Sequence, residues 1–114
     1  MSVVTPFPHP RDRQAIAAFD RLELQRILDL YGRMVAAGHW RDYAIDMGRE
    51  AAIFSAFRRS AERPEFRMEK RPSLRHRQGM WALIGEAGHV LKRGAELQGI
   101  LAPVERRLLK IVGD

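Results

Sequence analysis

The apolar residues of this chain change period twice, from helical to alternating and back to helical, and that change fixes the class of fold. Between about residues 21 and 37, Leu24, Ile27, Leu28, Tyr31, Met34 and Val35 recur at the spacing of one helical face. Asp20 stands where a side chain can cap the first turn, and Glu23 follows three residues on, as in a capping box. Phe19 and Leu24 hold the hydrophobic-staple positions around that cap. Gly38 supplies a stop, because glycine enters the left-handed region at little cost. Gly32 inside the helix costs about 1 kcal/mol relative to alanine, and is expected to admit another element at close range.

The period then falls to two. "WRDYAIDM" sets Tyr43, Ile45 and Met47 on one face and Asp42, Ala44 and Asp46 on the other. "MGRE" reads as a tight turn. "AAIFSAFRR" is apolar on both faces, at Ile53, Phe54, Ala56 and Phe57, the mark of an inner strand. "ERP" breaks it. "EFRMEKR" alternates again, with Phe66 and Met68 inward and Glu65, Arg67, Glu69 and Arg71 outward, until Pro72 ends the strand. "MWALI" gives a fourth strand, "GEAG" a turn and "HVLKR" a fifth. Connections this short favour antiparallel neighbours. After Gly94 a helical stripe returns at Leu97, Ile100, Leu101, Val104, Leu108 and Ile111; Pro103 within it predicts a kink or a restart, and Gly113 closes it. The expected fold is α+β: an N-terminal helix, a five-stranded antiparallel meander and a C-terminal helix.

A chain of 114 residues suits one domain. We place it at 15–114, after a flexible tail over 1–14. That tail, within "MSVVTPFPHPRDR", has three prolines in five positions and lacks the long apolar stretch of a signal peptide. Phe66, Met68, Trp81 and Leu83 are read as core rather than as cofactor contacts.

Few residues suggest chemistry. The chain has no cysteine, which excludes disulfides and thiolate catalysis and suits a reducing, cytoplasmic setting. Its serines, Ser2, Ser55, Ser60 and Ser73, lie in no G-x-S-x-G motif, and there is neither a P-loop nor a G-x-G-x-x-G. His9, His39, His76 and His89 are scattered without metal-ligand spacing and are read as surface or capping residues; His39 follows a helix end, where a cation is favourable. Asp42 and Asp46 would lie about 13 Å apart along one strand face, too far for a coupled carboxylate pair. They are expected to answer the basic residues as ion-pair partners. Only a pocket gathering Asp42, Asp46 and His39 or His76 would favour an enzyme. We expect no catalytic residue, no metal and no cofactor, and no apolar run reaches the roughly 18 residues of a membrane span.

Charge is the remaining signal. The chain has 20 Lys+Arg against 14 Asp+Glu. Residues 58–77 hold eight of the former and three of the latter, leaving twelve against eleven elsewhere. Arginine makes up 17 of the 20 cations and suits bidentate contacts to phosphate or carboxylate. A GC-rich genome would also enrich arginine, though not in one block. Arg58, Arg59, Arg63, Arg67, Arg71, Arg75 and Arg77 are therefore the candidate polyanion site.

A solvated strand face accounts for Glu65, Arg67 and Glu69, with Lys70 opposite. It does not account for Arg58, Arg59 and Arg63 in one loop, or for Arg71, Arg75, His76 and Arg77 in "RPSLRHRQG", which has no acid. Those loops would lie about 20 Å apart, at opposite ends of one strand, as one patch or as two. Phe57, Phe66 and Trp81 are expected inward, which favours a sequence-tolerant backbone grip over base readout. The expected partners are RNA or DNA. The alternative is an acidic protein or a second copy of the chain, held by the basic strip or by the C-terminal helix. Burial decides the helix: a stripe covered by its own sheet is structural, and an exposed one is a docking surface.

The words "YGRMVAAGHWRDYAIDM", "AIFSAFRRSAERPEFRMEKRP", "RQGMWALI" and "VLKRGAEL" resemble, in order and without gaps, a family of short uncharacterised proteins, a domain of unknown function found mainly in alphaproteobacteria. The resemblance covers about residues 19–97. It implies a bacterial, cytoplasmic protein and brings no catalytic or binding residues with it.

Overall fold

The computed structural model describes residues 16–60 and 62–113, so the tail expected over 1–14 lies outside the described residues. Helix α1 spans Arg21–Ala36, and strands β1 to β5 span Asp42–Met47, Ala52–Phe57, Phe66–Lys70, Trp81–Gly85 and Val90–Gly94. Helix α2 spans Leu97–Val112, and a short 3-10 turn at Pro72–Leu74 interrupts the β3–β4 connection. The strands form one antiparallel sheet in chain order. The architecture is the α+β meander that the change of period predicts.

Local chemistry sets the helix ends. Asp20 and Glu23 form the full capping box: each side chain accepts from the other's backbone N–H at 2.8 Å. At the far end Gly38 takes φ +79, and His39 N–H returns to the Met34 carbonyl at 3.0 Å. This reversal ends the helix and leads the chain into β1, with Arg41 N–H on the Phe57 carbonyl at 2.8 Å. Among the described residues no atom lies within 4 Å of where a Cβ on Gly32 would stand, so no described element uses it for close approach. Helix α2 runs unbroken through Pro103, and the restart expected there does not occur.

Both helices pack on one face of the sheet. Ile27, Leu30 and Met34 of α1 and Leu97, Ile100, Leu101, Val104 and Leu108 of α2 share one core with Ala52, Phe54, Ala56, Phe66, Met68, Trp81 and Leu83. Each large aliphatic or aromatic side chain buried there contributes about 1.5–3 kcal/mol. The stripe of α2 is thus covered by its own sheet, which makes it structural.

Strand β1 is the thin edge of this layer. Tyr43, Ile45 and Met47 face the helices yet remain 43%, 38% and 41% exposed. Asp42 and Asp46 stand on the other face and make no salt bridge among the described residues, contrary to the expected ion pairing. Acids along an edge discourage the addition of a further strand. Phe57 pairs across from Asp42 on that same outer face and is half-buried, not inward as expected.

Candidate functional site

Two connections emerge at opposite ends of β3. Arg58, Arg59 and Arg63 lie in or beside the β2–β3 connection at its start, whereas Arg71, Arg75, His76 and Arg77 lie in the β3–β4 connection beyond its end. Arg67 stands mid-strand on the outer face, half-buried, across from Ser55 and Ile84. The basic segment is therefore two patches separated by a strand.

The start of β3 holds a group that the alternation misassigns. Glu65 and Glu69 are expected on a solvated strand face, but they are 7% and 9% exposed. Glu65 occupies a bend one residue before the strand begins, where the period-two rule has no force. Its side chain turns toward the helices. Trp40 Nε1 donates to Oε1 at 2.7 Å, His39 Nε2 lies 3.0 Å from both carboxylate oxygens, and Arg107 Nη2 donates to Oε2 at 3.0 Å. With His39 Nε2–H donating to the carboxylate, the 3.4 Å approach of Arg107 Nη2 to that nitrogen is proximity and not a second hydrogen bond. Burial alone would raise the Glu65 carboxyl. The hydrogen bonds from Trp40 and His39, and then the charges of His39 and Arg107, outweigh it and hold the group below its ordinary value.

This carboxylate ties together the turn after α1, the start of β3 and the C-terminal half of α2. Around it lie further cations. A cleft of about 350 Å³ is walled by His39, Arg41, Arg58, Arg59 and Glu62. Arg58 is half-exposed and pairs with Glu86 at 3.1 Å, while Arg59 and Arg63 are exposed. Through the His39–Arg107 contact the basic rim continues to a shallow hollow beside Pro103, Arg106, Arg107 and Lys110. Charge counting misses His39, Arg41, Arg106, Arg107 and Lys110 because they lie outside the basic block. Only the turn signal at Gly38 places His39 near a chain reversal.

At the opposite end the charges are partly consumed. Arg71 Nε bonds Glu69 at 3.2 Å, and an Arg71 Nη1 lies 3.9 Å from Glu50. Arg75, His76 and Arg77 are exposed. Gly79, at φ +93, brings this loop against the end of β5, where a Cβ would meet the Gly94 carbonyl at 2.5 Å. Lys70 faces the core, as alternation predicts: its Nζ reaches Glu23 Oε1 at 2.6 Å and the Ala18 carbonyl at 2.9 Å, and lies 5.7 Å from the Trp81 ring centroid.

The model of a family described as proteins of unknown function, DUF2794, matches residues 17–101. The chain belongs to that family. The match includes His39, Trp40, Arg41, Arg58, Arg59 and Glu65 and ends before Arg107. No curated protein and no solved structure shows significant similarity to the chain. Among the described residues no group of three or more His, Asp or Glu side chains could hold a metal ion, and no helix is long and apolar enough to cross a membrane.

Proposed function

We propose that this is a non-enzymatic cytoplasmic protein that binds the phosphate backbone of nucleic acid at the Glu65 end of its sheet. The supporting observation is the cleft walled by Arg41, Arg58 and Arg59, with Glu62 the single acid among the described residues of its lining. Arginine forks match phosphate oxygens, and neutralised phosphates release counterions. Glu65 supports the reading indirectly. It anchors His39 and Arg107 on the rim, which spares those side chains part of the ordering cost of gripping a ligand. Arg63 lies on the same connection and extends the grip. Arg67, Arg71, Arg75 and Arg77 belong to the outer face or the far end, as a secondary contact.

Fluorescence anisotropy with labelled single-stranded RNA and duplex DNA, titrated across salt, tests this. Binding at micromolar or tighter concentrations near physiological salt, with a log–log slope of about −3.5 (single strand) to about −4.5 (duplex) for some five phosphate contacts, is the expected result. Binding confined to very low salt and equal for every polyanion would contradict it.

A further inference from the structure

The Glu65 end carries a second hollow, of about 300 Å³, whose walls are mostly apolar. Gly85 lines it, directly across from Phe66 on the core face of the sheet. Leu91, across the hairpin, leans over the gap: a Cβ on Gly85 would lie 3.1 Å from Leu91 Cδ1. Phe66, Gly85, Ala87 and Leu91 supply the apolar surface, and Glu65, Glu86, His89 and Arg107 complete the lining.

This hollow and the arginine cleft share a wall. Glu65 and Arg107 line the hollow and both touch His39, which lines the cleft. The Arg58–Glu86 pair joins the two a second time, since Arg58 lines the cleft and Glu86 the hollow. An apolar recess beside a cationic cleft repeats the layout of a nucleotide, in which a flat ring sits next to a phosphate. The volume is at the small end for a ligand pocket, which suits one ring system. Arg107, held by Glu65 and 44% exposed, presents a planar cation to such a ring.

We infer that the hollow seats one unstacked base of a single-stranded nucleic acid whose backbone lies in the arginine cleft, an inference that rests on the polyanion reading above. A duplex keeps its base faces stacked and would engage the cleft alone. Base–aromatic and base–guanidinium contacts tolerate sequence, so the site selects strandedness over sequence.

The test uses the full chain and three labelled probes at physiological salt: a thymidine oligomer of about twelve nucleotides, an abasic phosphodiester oligomer of equal length, and a duplex of equal length. The thymidine oligomer should bind at least about fivefold tighter than the abasic one. Gly85→Leu, which must push Leu91 aside and so remodels the hollow, should abolish that preference and leave abasic binding unchanged. The comparison of oligomers on the unaltered chain needs no variant, so it stands even if Gly85→Leu does not fold. Equal affinity for thymidine and abasic oligomers, or tighter binding of the duplex, would overturn the base site while leaving the backbone grip intact. Failure of all three probes to bind would overturn both.

Discussion

Each end of the central strand is closed by one charged residue drawn in against the helices, and the two ends treat that residue differently. At the end of β3, Lys70 is absorbed by Glu23, the Ala18 carbonyl and the face of Trp81. Glu23 is itself occupied in capping α1, since it also receives the Asp20 N–H. That set of charges points inward and pins a helix start to a strand. Before the start of β3, Glu65 collects Trp40, His39 and Arg107 from two other elements. Its cationic partners lie on the rim of open clefts and continue into further arginines. One arrangement closes a fold, and the other organises a surface.

Removing each anchor in turn separates the two ends most. Glu65→Leu leaves a buried Trp40 N–H without an acceptor and His39 and Arg107 without their anion. It should cost about 2–4 kcal/mol in chemical denaturation. Lys70→Met keeps its packing on Trp81, and Glu23 retains the Asp20 N–H, so about 1–2 kcal/mol is expected. Equal losses would mean that the two ends are energetically alike.

Acid titration sharpens it further. The folded-state pKa of Glu65 lies below its unfolded value. Its contribution to stability is therefore complete above the ordinary carboxylate range and is lost as pH falls through the folded value. Glu65→Gln should be less stable than the parent at neutral pH. The gap should narrow as pH drops below about 4. A constant gap, measured by denaturant midpoints across pH, would show that the Glu65 charge does not stabilise the fold. The smallest effect on stability belongs to the exposed pair: Arg58→Ala should cost no more than about 0.5 kcal/mol, although it should weaken nucleic-acid binding measurably.

The fold was legible because periodicity reports burial directly. Asp20 and Glu23, the switch of period near Trp40 and the stripe from Leu97 to Ile111 each depend on near neighbours in the chain, and each took its expected place. The site was legible only in outline. The split of the basic block into two ends follows from strand length, which the sequence carries. The role of Glu65 does not, because a bend residue obeys neither period. Arg107 is more than forty residues from Glu65 and reaches it only through the packing of α2. Arg41 is likewise recruited by the hydrogen bond of its N–H to the Phe57 carbonyl, at 2.8 Å, which sets it beside Arg58 and Arg59. Pro103 does not restart the helix because its local cost is outweighed by burial of Ile100, Leu101, Val104 and Leu108 on either side of it.

The measurement that bears most directly on the central claim is a paired charge reversal read by anisotropy with a labelled single strand across salt. Arg41→Glu/Arg59→Glu strikes the Glu65 end, and Arg75→Glu/Arg77→Glu strikes the far loop with the same change in net charge. A loss of more than about tenfold and a shallower salt slope are expected for the first pair, against about threefold or less for the second. Equal losses, or a larger loss from the far loop, would show that net charge and not the arginine cleft governs binding.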